Sequence, residues 1–210
     1  MFYDAAARPS SIRHDPLKAL VVPRPIGWIS AVSAKGEVNL APYSFFNAVA
    51  TSPGIVAFSS GGYKDSVAFI DETREFVCNI ATFDLRHAMS ETSAPLPRGE
   101  SEFDVAGLEM EPSALVAPPR VKGIAAALEC RWLSTTELAD IGGQPTGWWL
   151  VLGQVVGVYI DDRFVTDGIV DTAAMRPIAR LGYRDYAVVD EVFSITRPPG
   201  GGDSGPQQEQ

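Results

Sequence analysis

The sequence predicts a mainly β protein, an antiparallel barrel carrying short helical insertions. Three observations lead there. Apolar residues come in many short runs bounded by turn formers, and 19 Gly and 16 Pro supply the turns between them. Strand-like and helix-like segments do not alternate as βαβ units do. No Gly-x-Gly-x-x-Gly follows a strand-like run, which argues against a dinucleotide-binding doubly wound sheet.

Taken in order, Ile26 to Ser33 is followed by Ala34-Lys35-Gly36-Glu37 and a second run from Val38. This reads as a hairpin whose turn uses Gly36. Ile55 to Ser60 is an apolar run ended by Gly61-Gly62. A helix is expected over Asp65 to Thr73, with Asp65 as N-cap. Glu75 to Ala81 alternates, with Phe76, Cys78 and Ile80 on one face and Val77, Asn79 and Ala81 on the other. A second helix spans Phe83 to Glu91, carrying Leu85, Ala88 and Met89 on one side. Long strands are expected over 123–138 and 147–160, separated by the turn formers of 140–145. A last pair covers 183–189 and 191–196.

A length of 210 residues suits one domain, and 46% apolar with 20% charged residues can build a core. The domain is assigned to 1–197. Pro198-Pro199-Gly200-Gly201-Gly202 opens a tail to Gln210 without an apolar residue to pack, so 198–210 is expected to be mobile. Seventeen Lys and Arg against 26 Asp and Glu give a net charge of −9, which excludes general nucleic-acid binding. One phosphorylated ligand needs only a local pair of cations and stays open. Trp148 to Ile160, broken by Gly153, Gln154 and Gly157, falls short of the ~20 residues of a membrane helix. No basic segment followed by an apolar run marks a signal peptide, so a soluble, cytoplasmic protein without a membrane partner is expected. Two cysteines, Cys78 and Cys130, cannot form a disulfide framework, and both are expected to be buried and unreactive. His14 and His87 are too few for a histidine metal site, and each is expected at the surface or a helix end.

Two segments can carry chemistry. In Ser59-Ser60-Gly61-Gly62-Tyr63-Lys64-Asp65-Ser66 a strand ends, glycines turn the backbone and a helix begins. Open N–H groups at a helix start, a cation and hydroxyls make a phosphate site. The order Gly-x-x-x-x-Gly-Lys-Ser is absent, so it is not a Walker A loop. Its competing reading is a glycine turn with a solvated Lys64. The second segment runs from Pro23-Arg24-Pro25-Ile26-Gly27-Trp28-Ile29-Ser30 through Asn39 to Asn47. Aromatic, hydroxyl and amide side chains on adjacent strands suit a flat, partly polar ring, while Trp28, Phe45 and Phe46 equally suit a barrel core.

Several motifs in order closely resemble the flavin reductase-like, FMN-binding split-barrel family. They are Arg24-Pro25-Ile26-x-Trp28-Ile29-Ser30, Gly36-x-x-Asn39 through Asn47, Ser52-Pro53, Lys64-Asp65-Ser66 and Phe76-Val77-x-Asn79-Ile80. The resemblance continues through Glu102-Phe103, Gly107-Leu108 and Glu129-Cys130 to Arg180-Leu181-Gly182. It implies an antiparallel split β-barrel that pairs as a homodimer with FMN near the interface. It also implies that Trp28, Ser30, Ala41, Pro42, Ser44, Phe45, Phe46 and Asn47 line the ring and ribityl chain. Ser59, Ser60, Lys64, Asp65 and Ser66 would form the phosphate region, and Arg180 a late basic position near the cofactor. Ser66 stands where the family commonly has Thr, which conserves the hydroxyl.

Three functions follow from the resemblance. The first is an NAD(P)H-dependent flavin reductase, passing reducing equivalents to a monooxygenase or other redox partner. The others are an FMN-containing electron carrier of the flavoredoxin-like branch and a non-catalytic FMN-binding module. In each, chemistry belongs to the flavin, with no catalytic side chain and no metal.

Overall fold

A computed structural model describes residues 1–97, 99–196 and 198. Apart from Pro198, the expected tail lies outside the described residues.

The one-turn helix α1 (Leu17–Leu20) and the short strand β1 (Arg24–Pro25) lead into the predicted hairpin of β2 (Gly27–Val32) and β3 (Val38–Tyr43). Its turn holds Gly36 at φ +87°, a conformation in which an L side chain is strained. A second hairpin, β4 (Phe46–Thr51) and β5 (Gly54–Gly61), precedes α2 (Asp65–Thr73) and β6 (Glu75–Ile80). Helices α3 (Arg86–Glu91) and α4 (Glu102–Val105) and the strands β7 (Met110–Glu111) and β8 (Arg120–Val121) cover one side. The long strands β9 (Ala126–Ala139) and β10 (Pro145–Ile160) then complete the main sheet. The small strands β11 (Val165–Thr166) and β12 (Ile169–Val170) and the helix α5 (Thr172–Met175) lead to a final hairpin, β13 (Ile178–Arg180) and β14 (Tyr186–Val188).

Seven strands pair antiparallel in the order β3-β2-β6-β9-β10-β5-β4. Side chains from distant positions in this order meet: the rings of Tyr43 on β3 and Phe58 on β5 lie 4.7 Å apart. The sheet is therefore rolled around a common interior. Phe58 also meets Phe76 of β6 edge-on at 5.9 Å. The alternation in β6 sends Phe76 and Cys78 into this interior and Val77 into a second cluster with Trp28, Leu40 and Phe103. Both faces are covered. Close approach explains Gly153 of β10, where an added Cβ would sit 2.2 Å from Phe76 Cζ. Each fully buried aromatic contributes about 1.5–3 kcal/mol of transfer free energy.

Three local expectations are corrected. Residues 191–196 form no strand; the last pair is 178–180 with 186–188, and β13 also pairs with β1, where Arg24 faces Arg180. The second helix starts at Arg86 instead of Phe83, because residues 83–85 form a turn first. Asp65 is the first helical residue of α2 and not its cap; Lys64 holds that position in an extended conformation.

Candidate functional site

Strand β3, the start of α2 and the segment after α3 enclose a cavity of about 610 Å³. Asn39, Ala41, Pro42 and Tyr43 of β3 form one wall. Lys64, Asp65 and Ser66 form a second, and residues 92–96 with Glu102 close the rest. Helix α2 enters this cavity without a side-chain cap, because Lys64 at the N-cap has no acceptor to offer. The N–H groups of Asp65, Ser66 and Val67 find no hydrogen-bond partner among the described residues. Tyr63 anchors the loop in front of them. Its hydroxyl donates to Asp71 Oδ2 at 2.7 Å, which pushes its pKa up to about 12, and its ring meets Trp149 at 4.9 Å.

A buried polar chain supports the β3 wall. Glu102 Oε1 accepts from Asn39 Nδ2 at 2.8 Å, and its Oε2 from the Leu40 N–H at 2.9 Å. Asn39 Oδ1 in turn accepts the Ser66 hydroxyl. Burial pushes the Glu102 carboxyl above its ordinary pKa, the two hydrogen bonds oppose that rise, and the Asp65 charge adds to it. Because Asn39 spends its amide on Glu102, Ser66 must donate to Asn39 and offers the cavity only lone pairs.

Beyond Pro42 and Ser93, which line both spaces, the depression continues into a recess of about 280 Å³. Lys18, Arg24 and Arg180 converge there with Ser44, Tyr183 and Tyr186. The N-terminal arm reaches its rim, where the exposed His14 ring lies 5.6 Å from that of Tyr183. His87 is exposed on α3. Cys78 and Cys130 are fully buried, and burial pushes the Cys78 thiol up.

Of the residues anticipated for the site, Ala41, Pro42, Lys64, Asp65 and Ser66 line the large cavity, and Pro42, Ser44 and Arg180 the recess. The structure places others elsewhere. Trp28 has no exposed surface and donates its indole N–H to Thr92 Oγ1 at 2.9 Å; it belongs to the core. Ser30 is equally buried, its hydroxyl bonded to the Pro119 carbonyl. Ser60 is buried and donates to the Gly62 carbonyl at 2.8 Å. Ser59 is half-buried, its backbone N–H bonded to the Phe45 carbonyl. Phe46 lies on the backbone of Gly27, where an added Cβ would come within 2.6 Å of the ring. Phe45 packs edge-on against Trp148 at 5.2 Å, and Asn47 is exposed, its Oδ1 accepting the Ala48 N–H. None of these seven lines either space.

The model of the flavin reductase-like domain matches residues 19–175. The chain belongs to that family. A protein of Halalkalibacterium halodurans without an assigned function is 35% identical over 183 residues, 85% of this chain and 87% of its own. The crystal structure of nitrilotriacetate monooxygenase component B from Bacillus cereus is 29% identical with a TM-score of 0.84, covering 93% of this chain and 98% of that one. A crystal structure from Shewanella frigidimarina with a split-barrel domain has a TM-score of 0.81 at 24% identity, covering 92% of this chain and 96% of that one. That likeness shows the fold, and the antiparallel arrangement is a split barrel. Membership of a flavin reductase-like family supports an oxidoreductase role that works through a flavin.

Sequence reasoning assigned no role to Glu102, Asn39, Arg24 or Lys18. The first three stand inside the motifs that carry the resemblance, yet their partners lie far along the chain: Glu102 reaches Leu40 across 62 positions. Among the described residues no helix is long and apolar enough to cross a membrane.

Proposed function

We propose that the chain is an NAD(P)H-dependent flavin reductase holding FMN in the 610 Å³ cavity, its phosphate at the start of α2. The observation that carries this is the uncapped helix end: open N–H groups on Asp65, Ser66 and Val67 beside Lys64 suit a dianion. The cavity volume lies within the range of about 300–1,000 Å³ usual for cofactor-sized ligands. When bound, FMN supplies the hydride acceptor for a reduced nicotinamide.

The residues of the chain bind and orient. Lys64 and the α2 N–H groups would hold the phosphate, and Ala41 and Pro42 the side of the ribityl chain and ring. Glu102 and Asn39 keep β3 in place against α2, so that both walls stand ready before a ligand arrives. The same reading includes a homodimer. Val192, Phe193 and Ile195 stand exposed in a segment without regular structure, apolar surface that a second copy would cover. It also includes a monooxygenase as electron acceptor, supported by the component B relative.

The test is reconstitution with FMN, followed by anaerobic stopped-flow mixing with NADH and with NADPH. Bleaching of the flavin absorbance by either nucleotide is expected. Tight FMN binding without bleaching would leave the electron carrier or the binding module. A protein that takes up no FMN would end the reading.

A further inference from the structure

We propose that the recess between α1, β1 and β13 is a binding site for a small organic acid, its carboxylate on Lys18, Arg24 and Arg180 and its apolar body in the adjoining pocket. Three cations line a space of about 280 Å³ with no carboxylate in its wall among the described residues. None of the three is in an ion pair among the described residues, in a chain of net charge −9.

Arg24 makes the case sharpest. It is only 5% exposed, and it sits opposite Arg180 in the β1–β13 pairing. Its Nη1 donates to the carbonyls of Lys18 and Val21 and its Nη2 to that of Leu181, at 2.5–2.8 Å. Its buried Nε has no partner. Burial first, and then the Arg180 charge, pull its pKa down, the mark of a guanidinium lacking a counter-charge. A buried charge held only by neutral groups, here three carbonyls and the Phe45 ring 5.9 Å away, is costly, and an anion in the recess removes that cost. Ser44 and Ser90 in the wall add hydroxyl donors, while the Ser93 hydroxyl already donates to the Ser90 carbonyl at 2.6 Å.

The remaining wall selects the kind of anion. Met89, Ser90 and Tyr186 also line a second, mostly apolar pocket of about 260 Å³, whose other walls are Phe83, Ile178, Ala187 and Val188 with Arg86 and His87. A charged head and an apolar body therefore find adjacent places. Each space falls below the 300–1,000 Å³ usual for larger ligands, so a ring or short chain bearing one carboxylate fits better than a dinucleotide. Pro42 and Ser93 alone are shared with the cavity assigned to FMN, so such an acid would lie beside the flavin; that neighbourhood rests on the proposed function, and the binding itself does not.

Calorimetric titration with benzoate, and with benzamide as its uncharged counterpart, tests the proposal on flavin-free and FMN-loaded protein. Benzoate is expected to bind both forms at least about tenfold more tightly than benzamide. Lys18→Glu and Arg180→Gln should each weaken benzoate about tenfold or more and leave benzamide unchanged. Lys18→Glu should also leave FMN affinity, read by flavin fluorescence, unchanged. Equal binding of the two probes, no benzoate binding, or no effect of either variant would overturn the proposal. So would displacement of benzoate by an equal concentration of inorganic phosphate, since the apolar pocket would then contribute nothing. Benzoate binding by a protein that takes up no FMN would sink the flavin reading alone, and FMN uptake without benzoate binding this proposal alone.

Discussion

The two ends of the depression contain the same ingredients in opposite states of pairing. At the α2 end, Lys64 is the single cation among the described residues, Asp65 and Glu102 face the same cavity, and the Ser66 hydroxyl is committed to Asn39. Attraction for an anion comes there from backbone N–H groups that no side chain caps. At the β13 end, three side-chain cations meet without a carboxylate among the described residues, and one of them is buried. The difference teaches that residue type is a poor guide to a polar site. What a group has left after its internal hydrogen bonds decides what it offers a ligand.

The largest expected effect falls on the framework of the α2 end. Glu102→Ala leaves Asn39 Nδ2 and the Leu40 N–H buried without acceptors, and denaturant unfolding should show a loss of about 3 kcal/mol. A loss below about 1 kcal/mol would mean that water replaces the carboxylate and that the wall is not preformed.

Next comes ligand affinity. Lys64→Ala should weaken FMN binding by about 1.5–3 kcal/mol, roughly 10–150-fold in fluorescence titration. An unchanged dissociation constant would transfer the phosphate to the β13 end and reverse the assignment of the two ends. Ser66→Ala is smaller and sharper. It should cost about 1 kcal/mol of stability while moving FMN affinity less than about twofold, because its proton already serves Asn39. A large drop in affinity with unchanged stability would show the hydroxyl turning to the ligand.

The smallest effect concerns pH. Burial raises the Glu102 pKa, so the folded chain keeps a proton that the unfolded chain has released. That contribution is complete below the ordinary carboxylate pKa and is lost as pH rises through the raised one. Melting temperatures across this window should fall with pH less steeply in Glu102→Gln than in the parent protein.

Much of the fold was legible because it is written in local patterns. The Gly36 hairpin, the alternation of β6 and the span of α2 each depend on neighbours within a few positions. The last strand pair was not, because β13 is three residues long and takes its place from β1, whose Arg24 lies far away in sequence. Val192, Phe193 and Ile195 look like strand residues, yet no strand among the described residues reaches them. In the site, Lys64-Asp65-Ser66 and Ala41-Pro42 were found and do meet. Trp28, Ser30 and Ser60 were drawn in by their chemistry, and the structure spends that chemistry on Thr92, Pro119 and Gly62.

By itself the sequence determined the class of barrel, its hairpins, the glycine-led entry to α2 and the family, since turn preference and side-chain alternation act over short distances. The tertiary structure alone decided which polar groups are used up and which stay available. Hydrogen bonds and ion pairs join residues tens of positions apart, and only the folded chain brings donor and acceptor within reach of one another.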